Sequence, residues 1–319
     1  MSRFNNLVSI LIPVYNRESL ISETIQSALN QTYKNIEVVI VDNASTDNTW
    51  KIIQSFAGKD SRIKAFSNES NLGPVRNWLR CTDEATGQYG KILWSDDLIA
   101  PDFIEKTLPL FTEHVGFVYS GANIFTKKKP LAAKTNYLFP VTGTYPSSMY
   151  IEKVIFDKDM PVSPGCAIFR MNDIRKNLWL QVPNKVNSDF SMHAIGNDLL
   201  LFLLTAHEYE YFGHVAEPLS FFRSHEGSIS ISSKSGKLPL HYALVKAYFL
   251  ENYRPQLKAC FASYLQLLLW RYKDSKTYEI ESIQDFFQAY VNLSKMCLAK
   301  EIIFKLIGVT KRVLKKLLS

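Results

Sequence analysis

The sequence predicts an α/β fold: a sheet with helices on both faces, followed by a C-terminal region of helices alone. Three observations predict it. Short segments such as LVSILIPV (7–14) and IEVVIV (36–41) are apolar at nearly every position rather than alternating, so both faces of those strands are covered. Segments with helical apolar spacing alternate with them, as in a sheet whose strands are joined by crossover helices. Beyond residue 239 only helical spacing remains.

Residues 7–16 are the first strand, closed by Pro13 and Asn16, and 18–31 the first helix. A second buried strand covers 36–45, and a helix over 46–58 ends at Gly58. A short strand (63–68), a helix (73–87) and the strand KILWSDD (91–97) follow. Next come a helix over 102–114 and a strand over 115–125. From 127 to 165 the pattern is irregular (KKKP, PVTGTYPSS, MPVSPG), a long connection of the kind that usually carries function. A helix returns at 194–207 and a strand-like stretch at 209–225, while 226–237 is polar, Ser/Gly-rich and expected to be mobile.

The chain has 319 residues, 46% hydrophobic and 21% charged, enough for one large domain with an appendage. Its net charge of +7 and pI near 9.0 point to an anionic partner. The four cysteines (Cys81, Cys166, Cys260, Cys297) have no metal-ligand spacing and read as buried free thiols, which favours a reducing compartment. The N-terminal apolar run is cut short at Pro13 and Asn16 with no small-residue cleavage site after it, so no signal peptide is expected. The apolar runs at 199–204 and 265–270 are too short to span a bilayer.

Sheets of this type bind ligands at the carboxyl ends of their strands. Pro13 to Asn16, Asp42, Asp47, Asp96 and Asp97 fall there. No GxGxxG follows the first strand and no GxxxxGK[ST] occurs, so neither glycine-rich phosphate loop is present. Ser45, Thr46 and Asp47 suit helix capping as well as they suit function. Asp42 ends its strand and fits an acceptor for a pyrimidine imide N–H. Asp96 and Asp97 have two readings. A hard divalent cation needs only one or two carboxylates when a diphosphate supplies the rest. Alternatively Asp102 caps the next helix and the two aspartates face water. Read alone, Asp198 is a helix cap, His225 a loop or core histidine and Arg76 an exposed helix residue.

In order along the chain stand PVYN, VDNASTD, Asn-x-Gly before an Arg-Asn helix, Ala-x-Gly and SDD. Together they resemble glycosyltransferase family two of the bacterial surface-polysaccharide type, strongly over 7–115 and more weakly over 198–230. The resemblance implies a GT-A (nucleotide-diphospho-sugar transferase) fold with a Rossmann-like mixed sheet. It divides the chain into a catalytic domain over 1–235, with a nucleotide-binding half (1–125) and an acceptor half (126–235), and a helical region over 236–319. It assigns Pro13, Tyr15, Asn16, Asp42, Asn71, Gly73, Arg76 and Asp96 to the nucleotide. Asp97 becomes the metal ligand, aided by His225, with Mg²⁺ or Mn²⁺ as the cofactor. Asp198 becomes the general base and Gly165 part of the acceptor loop. Two positions depart from the pattern: Trp94 stands where many members carry a further Asp, and Asn197 where Glu is common.

The implied reaction is an inverting transfer from a nucleotide sugar to a hydroxyl of a glycan acceptor, expected to be polyprenyl-diphosphate-linked, in O-antigen or capsule assembly. The C-terminal segment EIIFKLIGVTKRVLKKLLS (301–319) reads as a basic amphipathic helix lying on an anionic membrane, or equally as a helix packed on the domain. The expected location is therefore cytoplasmic, peripheral on the inner face of the cell membrane. A non-catalytic nucleotide-sugar or glycan-binding protein of the same fold is the alternative, prompted by Trp94 and Asn197. A sugar nucleotidyltransferase would want a glycine-rich basic loop after the first strand, and PVYNRES has no glycine. Nucleic acid is not expected as a partner, because the positive charge gathers in the tail and at Lys127–Lys129 without an aromatic platform.

Overall fold

The computed structural model describes residues 6–126, 135–225 and 235–299. They fall into two compact units, one built from 6–181 with 189–225 and the other from 182–188 with 235–299. The second unit therefore takes in 182–188 as well as the region expected from residue 236 onward.

The first unit is a mixed α/β sheet. Strands β1 (Val8–Val14), β2 (Ile36–Asp42), β3 (Ile63–Ser67) and β4 (Tyr89–Ile92) form its parallel half, in the order β3-β2-β1-β4. Every residue of β1 and β2 is buried, as continuous apolar strands require. Two polar residues interrupt that run, Ser9 and Glu37, which face each other in register and bond at 2.6 Å. The sheet continues through β9 (Ala167–Arg170), β6 (Val115–Phe125), β10 (Tyr211–Arg223) and the two-residue β5 (Leu98–Ile99). β9 runs antiparallel to both β4 and β6, β10 parallel to β6, and β5 antiparallel to β10. Two short strands join off this path: β7 (Thr135–Asn136) on β6 and β8 (Gly143–Pro146) on β10. The register of β10 slips around Pro218, where the missing N–H breaks the ladder.

Helices α1 (Ile21–Leu29), α2 (Thr49–Ala57), α3 (Pro74–Glu84) and α4 (Phe103–Thr107) follow the strands of the first half. α4 is much shorter than the helix expected over 102–114, because Pro109 admits only a 3₁₀ turn at Leu108–Leu110. The 127–165 stretch is more regular than expected: after β8 it carries helix α5 (Ser147–Ile155), which buries Tyr150, Ile151, Val154 and Ile155. Helices α6 (Met171–Asn177), α7 (Phe190–His193) and α8 (Asn197–Glu208) complete this unit. α8 is buried from Asn197 to Ala206. An aromatic core joins these elements, with Phe117 stacked on Phe212 at 5.6 Å and edge-on to Phe202 at 4.9 Å.

The second unit is built on α9 (Lys237–Tyr253) and α10 (Lys258–Arg271), packed around Leu240, Leu244, Phe249, Phe261 and Leu265. It corrects the reading of four free thiols. The segment after 290 returns along α10, with Ser294 N–H on the Ala259 carbonyl at 3.2 Å and Ser263 Oγ on the Ser294 carbonyl at 3.0 Å. That return brings Cys297 to Cys260, and the two form a disulfide; Cys81 and Cys166 are free and buried. The expected amphipathic tail at 301–319 and most of the 226–237 stretch lie outside the described residues. Among the described residues no helix is long and apolar enough to cross a membrane.

Candidate active site

The carboxyl edge of the sheet gathers the polar residues of three turns. β1 and β2 end in register, Val14 beside Asp42. Asn16, in the left-handed region at φ 50°, crosses to the neighbouring turn. Its N–H donates to Ser45 Oγ (2.8 Å), and its Oδ1 accepts the Thr46 N–H (2.8 Å). Asp42 is buried and accepts both the N–H and the hydroxyl of Ser45. Asn16 and Asp42, both expected at the nucleotide, are thus the braces of this double turn, while Tyr15 beside them is exposed and Pro13 lies within β1.

Asn71, Gly73 and Arg76 form a second group. Asn71 Oδ1 accepts Asn43 Nδ2 (2.8 Å) and the Gly73 N–H (3.0 Å). Gly73 has φ 84°, and a Cβ there would meet Met192 Sδ at 2.8 Å, so glycine alone fits between α3 and α7. Arg76 Nη1 donates to Ser191 Oγ at 3.1 Å.

The third turn holds Asp96 and Asp97, and they face opposite ways. Asp97 is turned inward and buried, its Oδ1 accepting the Arg223 N–H at 2.8 Å. Burial and the Asp96 charge push its carboxyl well above the ordinary carboxylate range. Asp96 Oδ2 meets His225 Nε2 at 2.8 Å, with Arg17 Nε 4.0 Å away. The expectation paired Asp97 with His225; the structure pairs Asp96 with it. The reason is the end of β10. Arg223 donates its backbone N–H to Asp97 and its Nε to the Asp96 carbonyl (2.8 Å), and its Nη2 meets Glu23 Oε2 at 2.6 Å. Thr24 Oγ1 lies 3.1 and 3.0 Å from the Ser95 and Asp97 carbonyls. The turn is therefore clamped from α1 and β10, and only Asp96 is left toward His225.

The Trp94 carbonyl accepts the Asp97 N–H at 3.0 Å, but its side chain is engaged elsewhere. Its ring packs on Trp78 at 4.7 Å and its Nε1 donates to Ser163 Oγ at 2.8 Å. Gly165, expected at the acceptor, is buried against that ring: a Cβ there would lie 3.0 Å from both Trp94 and Phe222. Its carbonyl accepts the Lys91 ammonium, a fully buried cation that burial pulls down to about 7 against the opposing pull of Cys166 and Asp97. Asp198 stands at the head of α8, its Oδ1 accepting the N–H groups of Gly196 (3.1 Å) and Leu199 (2.8 Å). Burial, then Cys166, Asp159 and Asp198, push the nearby Tyr137 phenol up. Asn197 turns inward, donating to the carbonyls of Trp179 and Leu180.

Arg17, Lys91 and Arg223 were not foreseen. A single Arg in a turn has no period to betray it, although Arg17 directly follows PVYN and Arg223 stands two residues before His225. Among the described residues no group of three or more His, Cys, Asp or Glu gathers as a metal cage. What this turn could offer a cation is one carboxylate, Asp96, and one imidazole, His225. That donor set fits a divalent ion that takes its remaining ligands from a diphosphate and water.

The model of glycosyl transferase family 2 matches residues 9–178, more than half of the chain. The chain belongs to glycosyl transferase family 2. It is 43% identical over 102 residues to an uncharacterized glycosyltransferase of Haemophilus influenzae, covering 32% of this chain and 41% of that one. It is 39% identical over 142 residues to the UDP-Glc:alpha-D-GlcNAc-diphosphoundecaprenol beta-1,3-glucosyltransferase WfaP of Escherichia coli, covering 44% and 51%. The chain thus spans about half or less of the length of these curated relatives. The fold is similar to that of S. aureus TarS 1–349 in complex with UDP-GlcNAc, at a TM-score of 0.64 and 18% identity over 86% of this chain and 75% of that one. The sheet is thus that of a GT-A glycosyltransferase, as the resemblance implied.

Proposed function

We propose that this family 2 protein is an inverting glycosyltransferase that moves a sugar from a nucleotide-diphospho-sugar to a hydroxyl of a glycan acceptor. The acceptor we favour is a polyprenyl-diphosphate-linked oligosaccharide of a bacterial surface polysaccharide, by analogy with WfaP. The observation that carries the proposal is the pairing of Asp96 with His225 at the carboxyl edge of the sheet, beside the Asn16–Asp42 double turn. A nucleotide sugar bound there has its base side toward the exposed Tyr15 and its diphosphate toward Asp96, His225 and Arg17.

Asp96 and His225 would hold Mg²⁺ or Mn²⁺, which when bound neutralises charge on the leaving nucleoside diphosphate. The Arg223 clamp keeps Asp96 oriented for this. Asp198 takes the proton from the acceptor hydroxyl as that oxygen attacks the anomeric carbon, and the carbon–oxygen bond to the diphosphate breaks on the opposite face. Two backbone N–H groups on Asp198 Oδ1 fix the carboxylate for that task. Positioned general-base catalysis contributes roughly 10²–10⁴-fold. Asp198→Asn should lower kcat by about that factor with donor affinity kept. The assay is release of nucleoside diphosphate from a panel of nucleotide sugars, with a polyprenyl-linked acceptor and with or without divalent metal. Donor binding with no turnover under any condition would favour the non-catalytic reading that Trp94 and Asn197 invite.

A further inference from the structure

We infer that Arg17 binds the donor's diphosphate directly, so that a nucleoside diphosphate is held in part without any divalent ion; the inference rests on the nucleotide-sugar reading above. Arg17 lies in the turn after β1. Its backbone N–H donates to Thr49 Oγ1 at 2.7 Å, and its Nη1 donates to the carbonyls of Asn16 (3.0 Å) and Tyr15 (3.4 Å). Those bonds fix the guanidinium at the carboxyl edge of the sheet. Its Nε is buried and has no hydrogen-bond partner. The nearest carboxylate oxygen, Asp96 Oδ2, is 4.0 Å away and already bonded to His225 at 2.8 Å. A buried N–H with no acceptor is unfavourable, and because the side chain as a whole is 27% exposed, a small shift of the guanidinium toward an arriving anionic oxygen removes that penalty.

The composition of the cluster points the same way. Trp94 gives its indole to Trp78 and Ser163, so the strand end offers no second outward carboxylate. Asp97 is spent on the Arg223 N–H. Around the Asp96 carboxyl stand one imidazole, His225, and one guanidinium, Arg17. That is too little negative charge for a tight, metal-first site, and it includes the one side chain whose planar fork matches phosphate oxygens. The bland alternative is that Arg17 only braces the turn and pairs loosely with Asp96. A brace and a phosphate ligand differ in what they do to a nucleoside against its diphosphate.

The test is calorimetric titration of the full chain with UDP, dTDP and GDP and with the matching nucleosides, in EDTA and in Mg²⁺ or Mn²⁺. Wild type, Arg17→Gln and Arg17→Lys are compared. Wild type is expected to bind one diphosphate in EDTA. Arg17→Gln should weaken that diphosphate by roughly 10- to 100-fold while leaving the nucleoside unchanged, and Arg17→Lys should recover part of the loss. Equal losses for nucleoside and diphosphate would reduce Arg17 to a brace and overturn the inference. So would unchanged diphosphate binding by Arg17→Gln, or wild-type binding only when metal is present. If wild type binds no nucleotide with or without metal, the nucleotide-sugar reading itself fails, and this inference with it.

Discussion

Asp96 and Asp97 are neighbours with the same side chain and opposite surroundings. Asp97 is an internal acceptor for the Arg223 N–H, and Asp96 meets His225. Asp97→Ala should therefore destabilise the fold by about 1–3 kcal/mol, because it leaves a buried N–H unpaired. Asp96→Ala should cost under about 1 kcal/mol, as expected for a partly exposed ion pair, yet abolish metal-enhanced nucleotide binding. Urea unfolding together with nucleotide titration reads both, and a reversed assignment would show as the opposite pattern. Asp96 and Asp97 stood out at a strand end, whereas Asp198 and His225 were singled out only through the family resemblance. Which aspartate points outward was not legible, because it depends on Arg223, 126 residues further along the chain.

At the level of elements, strands β1 and β2 declare themselves through nearly continuous apolar runs, and the one polar pair that interrupts them, Ser9 and Glu37, has a structural purpose. Glu37 accepts from Ser9 Oγ, the Thr86 N–H and hydroxyl, the Gly87 N–H and the Lys64 ammonium. Burial works to raise its carboxyl, but Lys64, Ser9 and Thr86 outweigh it and bring it down to about 2. A group depressed on folding binds fewer protons in the folded than in the unfolded state. Its stabilisation is therefore full above about pH 4.5 and is lost as pH falls toward about 2. Glu37→Gln should cost about 1.5–3 kcal/mol near neutrality. The gap to wild type should narrow in acid, as read by chemical unfolding across pH 2–7; a gap independent of pH would contradict the assignment. The 127–165 stretch was the least legible. Its two strands, β7 and β8, are two and four residues long and pair with β6 and β10, so they show no alternation of their own. α5 did leave a signal, the spacing of Tyr150, Ile151, Val154 and Ile155, although Pro-rich flanks obscured it.

For the molecule as a whole, sequence motifs led to the family and the family to the sheet, while the second unit carries no motif and was legible only as helical periodicity. The Cys260–Cys297 bridge was not readable from spacing, since 37 residues separate the partners and the return of the chain along α10 brings them together. The basic tail at 301–319 extends the proposal to the membrane. Its deletion should abolish flotation with anionic liposomes at low salt while leaving transfer to a soluble acceptor analogue intact; flotation that persists would remove the tail from that role. The central claim is sugar transfer by this site, and the most direct measurement is turnover of the matched nucleotide sugar by wild type and Asp198→Asn, with donor affinity measured on both. The account predicts a fall in kcat of about 10²–10⁴-fold with donor affinity retained; near wild-type turnover by Asp198→Asn, or no turnover of any nucleotide sugar by wild type, would contradict it.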